Sequence, residues 1–234
     1  MKRVAIVQSN YIPWKGYFDM IASVDEFILY DDMQFTRRDW RNRNRIKTPN
    51  GLEWITIPVD TKGKYHQRIR DTRVSDPDWA RIHWKSIQHN YAKARHFGDY
   101  RKIFEELYLG CGEEYLSRIN LRFIEAICRL LGIATRITAS MDYELVDGRT
   151  ERLVGLCQSA GAGHYLSGPS ARDYMDESLF SRAGITVSYM DYSGYPPYTQ
   201  LHGQFEHAVT VLDLIFNEGH ESRRFMKGFG NGNG

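Results

Sequence analysis

The densest chemistry in this 234-residue sequence lies between Asp31 and Lys47. Asp31 and Asp32 stand side by side, followed by Gln34 and Phe35. Arg37, Arg38, Arg41, Arg43, Arg45 and Lys47 then fall within eleven residues, with Asp39 as the one acid among them. Adjacent carboxylates repel unless a cation or several donors sit nearby. Either Asp could hold Mg²⁺, bind a sugar hydroxyl, act as a general base, or simply cap a helix. The spacing lacks the repeated acids that specify a cation loop, so no metal site is assigned. If WRNRNRIKT is a strand, Arg41, Arg43 and Arg45 share one face, and Asn42 and Asn44 the other. Guanidinium groups aligned in this way match phosphates, in a diphosphate-linked sugar or a nucleic-acid backbone. A solvated basic edge strand has the same pattern.

Three further segments carry suitable residue types. In Gln8 to Tyr17, Tyr11, Pro13, Trp14, Lys15 and Gly16 combine a rigid turn, a flat surface, a cation and a glycine immediately before a helix. Such a helix start suits phosphate or carboxylate, and a packed aromatic loop is the alternative. In GHYLSGPSARDYM, Ser167 and Gly168 end a strand, Pro169 suits a first helical turn, and Ser170 and Arg172 sit at the helix start. In SGYPPYTQ, Tyr195 and Tyr198 lie on a stiff proline loop suited to stacking on a sugar or base, or to packing. Neither a GxGxxG nor a GxxxxGK[ST] occurs, nor a GxSxG nucleophile elbow or HExxH. His83 and His89 are six apart on a helix, a poor spacing for a shared metal.

The elements that must position these residues alternate between strand and helix. Val4 to Val7 and Phe27 to Tyr30 read as buried strands flanking a short helix through Phe18 and Ile21. A hairpin near 42–60 turns at Asn50-Gly51. Helical periodicity fills three pieces near 78–97, 99–109 and 113–131. The last carries Leu116, Ile119, Phe123, Ile127 and Leu130 on one face and stops at Gly132. Strands at 134–138, 165–166 and 185–190 then alternate with helices at 150–160, 169–183 and 208–217. The fold class is therefore α/β, with a mostly parallel sheet, a β-hairpin and a helical insertion near 78–131. One domain is expected over 1–227, with 228–234 as a disordered tail.

Composition narrows the function classes. With 42% hydrophobic and 26% charged residues, disorder and fibrous repeats are excluded. A net charge of +2 argues against a protein held on nucleic acid by its overall field. The average hides the cationic segment, which leaves the rest of the chain net acidic. Cys111, Cys128 and Cys157 show no CxxC pattern and read as buried thiols, which implies a reducing, cytoplasmic setting. The apolar run at the start is too short for a signal peptide or a membrane span.

The blocks YIPWKGY, DDMQF and NRNRIK, in that order, resemble the opening of the WbqC-like family. HYLSGPSARDYM and LDLIFNEG are similar to the later motifs of that family, so the resemblance runs from residue 3 to about 220. It implies a place in bacterial gene clusters for O-antigen and other surface polysaccharides. A weaker architectural similarity links the strand–loop–helix–strand opening to pantothenate synthetases and other HIGH-motif nucleotidyltransferases. That similarity implies a Rossmann-like sheet, although the two motif histidines are absent. Taken together, these features lean towards an enzyme that modifies an amino sugar, by amide-forming acyl or aminoacyl transfer onto a nucleotide-linked amino sugar. In that reading Lys15, Arg43 and Arg45 hold phosphate, with Arg41, Arg172, Ser167 and Gly168 beside them. Trp14, Tyr11, Tyr195 and Tyr198 face the sugar or base across Gly16, Gln8 and Gln34 orient substrate, and Asp31 or Asp32 is the base. Catalysis rests on Asp31, Asp32 and Lys15. ATP and Mg²⁺ enter only if a carboxylate is activated here; otherwise an acyl carrier protein or an aminoacyl-tRNA is the donor. A nucleotidyltransferase acting on a sugar phosphate, and a non-enzymatic module binding RNA or an anionic glycan, are the alternatives. The oligomeric state is not specified by the sequence.

Overall fold

Apolar runs four or five residues long, too short to persist alone, are made stable by lateral pairing and by helices on both faces. The computed structural model describes residues 1–229. Its strands are β1 (Arg3–Val7), β2 (Glu26–Leu29), β3 (Arg43–Thr48), β4 (Gly51–Thr56), β5 (Arg136–Ala139), β6 (His164–Ser167) and β7 (Thr186–Tyr189). Five of them form one parallel sheet in the order β5-β2-β1-β6-β7, and β3 and β4 form a separate antiparallel hairpin. Val4 to Val7 pair with Glu26 to Leu29 on one side of β1, and Arg3 to Ala5 pair with His164 to Leu166 on the other.

Side chains alternate across the sheet. Ala5, Phe27 and Leu29 face a large core shared with α1 (Lys15–Ala22) and α4 (Leu116–Leu131). Val4, Ile6 and Ile28 face a smaller core built with α5 (Arg149–Ser159) and α6 (Glu177–Arg182). Between β2 and α4 the chain inserts the hairpin, α2 (Trp79–Tyr91) and α3 (Phe97–Leu109). These extend the large core, and α7 (Val211–Glu218) packs against α3. From β1 the chain winds outward through β2 to β5, then crosses to β6 and β7. The reversal of strand order falls between β1 and β6, and the architecture is the α/β, Rossmann-like sheet with hairpin and helical insertion that the sequence pattern predicts.

Most expected elements are present with shifted ends. In α4, Leu116, Ile119, Phe123 and Ile127 are fully buried, and Leu130 packs at the margin. Gly132 closes the helix at φ +58, where its N–H and that of Ile133 reach back to Arg129 and Cys128. The hairpin turns one residue earlier than predicted, on Pro49 and Asn50, because Thr48 pairs with Gly51. The helix expected over 169–183 is two pieces, a 3₁₀ turn at Pro169–Asp173 and then α6, because Asp176 accepts the Ser178 N–H and caps a new start. Thr210 likewise delays α7 to Val211. All three cysteines are free, and burial pushes the Cys128 and Cys157 thiols up to about 12. Among the described residues no helix is long and apolar enough to cross a membrane. Of the tail expected at 228–234, the Gly228 N–H donates to Asp19, and 230–234 lie outside the described residues.

A buried polar string ties the insertion to the sheet. Tyr11, wholly buried, shares hydrogen bonds of 2.9 Å with Tyr108 and with Nδ1 of His83. His83 Nε2 lies 3.1 Å from the Thr56 carbonyl, which only accepts, so Nε2 carries the proton of the neutral ring. Burial pushes the His83 pKa down to about 4 from 6.5. The unfolded chain therefore takes up this proton first as the pH falls. The stability from neutral His83, on the order of 3 kcal/mol, is intact above about pH 6.5 and gone below about pH 4. Urea unfolding across this range is expected to show a steeper acid loss in wild type than in His83→Gln. Parallel pH profiles would contradict a neutral buried His83.

Candidate functional site

The strand reversal opens the sheet at one place. Beyond the carboxyl ends of β1 and β6 lies a cleft of about 520 Å³, where the loops leave in opposite directions. Val7 and Gln8 come from β1, Ser167 and Gly168 from β6, and Tyr17 from α1. Arg149 and Arg152, on the first turn of α5, supply the cations, with Tyr174 and Tyr192 at the edges. The Arg149 guanidinium lies 3.7 Å from the centre of the Tyr174 ring. Arg152 Nε donates to the Val146 carbonyl at 2.9 Å, and its far end is 3.8 Å from Asp147. The cleft thus combines apolar strand walls, the five tyrosines Tyr17, Tyr30, Tyr165, Tyr174 and Tyr192, and two guanidinium groups. That set is suited to an anionic ligand with a flat or ring-shaped body.

The loop after β1 is held from the insertion. Arg41 spans it, donating from one nitrogen to Gln8 and from the other to Asn10. Asn120 fixes the same region by donating to Ser9 Oγ and to the Arg41 carbonyl, each at 2.9 Å. Ile12 adopts φ +37, a conformation a β-branched residue rarely takes. The buried Asn44 amide holds it there, donating to the Tyr11 and Ile12 carbonyls at 3.1 and 2.9 Å.

The adjacent carboxylates have separate partners. Asp31 accepts the Ser9 N–H at 2.8 Å, and burial raises its pKa while the bonds from Ser9 and the charge of Arg41 oppose that rise. Asp32 pairs with Arg70 at 2.7 Å and Arg68 at 3.3 Å and accepts from Ser140 at 2.7 Å. Neither wall of the cleft includes them, and they do not share one cation position. Among the described residues no group of three or more His, Cys, Asp or Glu is placed to hold a metal.

Of the residues selected by sequence, Gln8, Ser167, Gly168 and Ser170 line the cleft, and Arg41 touches it through Gln8. Lys15 does not. It is 2% exposed and lies 5.0 and 5.1 Å from the Tyr195 and Tyr198 ring centres, with Phe205 at 5.9 Å. Its one hydrogen bond goes to the Pro196 carbonyl at 3.1 Å, and desolvation lowers its pKa to about 8. Trp14 packs T-shaped against Tyr192 and Tyr195, so it props a cleft residue without lining the cleft itself. A methyl group at Gly16 would overlap the Trp14 ring, so this glycine serves internal packing. The Tyr195 hydroxyl donates to Asp19, and that of Tyr198 to Asp213 at 2.9 Å. Tyr11 belongs to the core. Gln34 donates to the Tyr65 carbonyl at 2.7 Å, and Arg172 stacks on Tyr189 at 4.5 Å. Arg43 and Arg45 point along the hairpin, away from the cleft lining. Arg149, Arg152, Tyr174 and Tyr192 are cleft residues that no sequence motif singles out.

Fold and cleft define an α/β protein with a Rossmann-like switch-point site. The WbqC-like protein family model matches residues 8–225, and the chain belongs to that family. It is 56% identical over 227 residues to the uncharacterized protein Rv1507c of Mycobacterium tuberculosis, covering 97% of this chain and 98% of the relative. No solved structure matches significantly.

Asn44→Ala removes the only donors that the Asn44 side chain gives to two loop carbonyls. It is expected to cost about 2–4 kcal/mol in denaturant unfolding. A loss below about 1 kcal/mol would show that this clamp does not hold the Ile12 conformation.

Proposed function

We propose that this protein modifies a nucleotide-linked amino sugar during surface-glycan synthesis, joining its amine to an acyl or aminoacyl group through an amide. One observation carries the reading: the switch-point cleft pairs Arg149 and Arg152 with Tyr17, Tyr174 and Tyr192. The arginines take the diphosphate, the tyrosines flank the base and sugar, and Ser167 and Gly168 admit the ligand close to the strand end. Family membership supports the glycan setting.

In the reaction the amine nitrogen attacks the acyl carbon, and the carbon–sulfur bond of a carrier thioester or the carbon–oxygen bond of an aminoacyl ester breaks. The amine proton passes to a base, and the leaving thiolate or alkoxide is protonated in turn. Asp31 is the base in this reading: it lies outside the cleft lining, but burial makes its carboxylate more basic than a surface aspartate, and Ser9, the chain neighbour of cleft residue Gln8, donates its N–H to it. Lys15, caged by aromatic rings, has no part in it. A donor already activated on a carrier or tRNA needs no ATP at this site. A cytoplasmic location fits three free thiols.

Calorimetry with a panel of uridine- and thymidine-diphosphate amino sugars tests the reading. At least one is expected to bind at micromolar concentration, and the Arg149→Ala/Arg152→Ala pair is expected to weaken it by about 100-fold without altering the melting temperature. Asp31→Asn is expected to retain binding and lose turnover. Absence of binding by every nucleotide sugar would refute the proposal. Pyrophosphate release from a nucleoside triphosphate and a sugar phosphate would reassign the same cleft to nucleotidyl transfer.

A further inference from the structure

The cationic run in the sequence does not stay together in space. Arg41 is bound to Gln8, Asn10 and Asp39, and Lys47 is buried against Gln200 and Gln204. Arg43 and Arg45 instead share the outer face of the hairpin with Trp54, because Arg45 is directly opposite Trp54 in the β3–β4 register. Trp40 completes the patch, its ring centre 5.1 Å from that of Trp54 with the planes tilted by 44°. Trp40 and Trp54 are 38% and 44% exposed. The Arg43 guanidinium lies 4.0 Å from the Trp54 ring centre, and that of Arg45 5.6 Å from both rings.

Charge balance in this patch is incomplete: Asp39 feels the charge of Arg43, but its ion pair is with Arg41. Among the described residues neither Arg43 nor Arg45 has a carboxylate within 4.0 Å, and the Nε atoms of both are buried without a partner. Among the described residues the Arg43 guanidinium has one acceptor, the Arg38 carbonyl, and the Arg45 guanidinium has none. A guard against strand pairing requires exposed charge, but it does not require half-buried guanidinium donors left unused beside two exposed indoles. Next to the patch a cavity of about 170 Å³ is walled by Asn10, Pro13, Trp14, Trp40 and Asn44.

We infer that the outer face of the hairpin is a second ligand site, taking a nucleoside phosphate whose base stacks on Trp40 or Trp54 and whose phosphate is held by Arg43 and Arg45. Partly exposed indoles match a flat base, and planar donors without an internal partner match phosphate oxygens. The two sites adjoin at Arg41, whose guanidinium bonds Gln8 in the cleft and Asn10 in the wall of the hairpin cavity. The inference does not depend on what the cleft binds.

Titration with AMP and ATP, read by tryptophan emission and by calorimetry, tests it. Saturable binding with a change in emission is expected, weakened about tenfold or more in Arg45→Gln and in Trp54→Ala and retained in the Arg149→Ala/Arg152→Ala pair. Adenosine alone and pyrophosphate alone are each expected to bind more weakly than ATP. Melting curves of the hairpin variants, with Trp54→Phe as the conservative control, separate lost binding from lost folding. The inference is overturned if neither nucleotide binds at millimolar concentration, or if well-folded Arg45→Gln and Trp54→Ala bind as wild type does. It is also overturned if the cleft variant alone abolishes binding. Binding confined to long oligonucleotides, with a steep salt dependence, would assign the face to single-stranded nucleic acid and reject the small-ligand site.

Discussion

The amide of Asn44 holds the loop after β1 in a shape that its own sequence resists. A β-branched residue at φ +37 returns to the ordinary regions unless its surroundings fix it. The two bonds from Asn44 to Tyr11 and Ile12 supply that constraint. Tyr11 N–H to the Trp40 carbonyl and Val211 N–H to the Pro13 carbonyl brace the loop on either side. With the loop fixed, Gln8 turns into the cleft, Trp14 reaches Tyr192, and α1 begins at Lys15. The hairpin is an insertion in the order of the sheet, yet it shapes the strand end on which the candidate site is built.

Much of the architecture was legible because it depends on local pattern. The parallel strands show as short apolar runs, and α4 shows as a single apolar stripe ended by Gly132. Strand alternation on β3 correctly separates Arg43 and Arg45 from Asn44. What stayed hidden depends on long-range competition for polar groups. Lys15 and the Tyr195–Tyr198 loop are 180 residues apart in sequence, and no spacing rule reveals that they shelter one another. The break at Asp176 is not legible in the sequence because a helical stripe continues through it, while a single capping bond decides the matter. Arg149 and Arg152 resemble ordinary surface residues of a helix until the position of β6 shows what that helix end faces.

The electrostatics show the same contrast between sequence and space. Six cations close together in sequence would repel if they shared one site. The fold distributes five of them: Arg37 to the Thr61 carbonyl, Arg41 to the strand-end loop, Lys47 into the interior, and Arg43 and Arg45 onto indole rings. Asp213, buried opposite Lys47, accepts from Tyr91, Tyr198 and Gln200, and burial raises its pKa against those bonds. The adjacent aspartates are separated in the same way, Asp31 to a backbone N–H and Asp32 to two arginines. Local crowding of like charge is relieved by sending most of these groups to different structural neighbours, with Arg43 and Arg45 left together on Trp54.

Asp19 on α1 is wholly buried and accepts from Tyr195, Lys227 and Gly228, partners 176, 208 and 209 residues further along the chain. A carboxylate sealed in an apolar helix face without donors is strongly unfavourable. The opening β1-α1-β2 unit is therefore complete as a pattern but not as a thermodynamic entity when it leaves the ribosome. The order of synthesis and the order of stabilisation run in opposite directions, and the earliest helix is the last to lose its electrostatic debt.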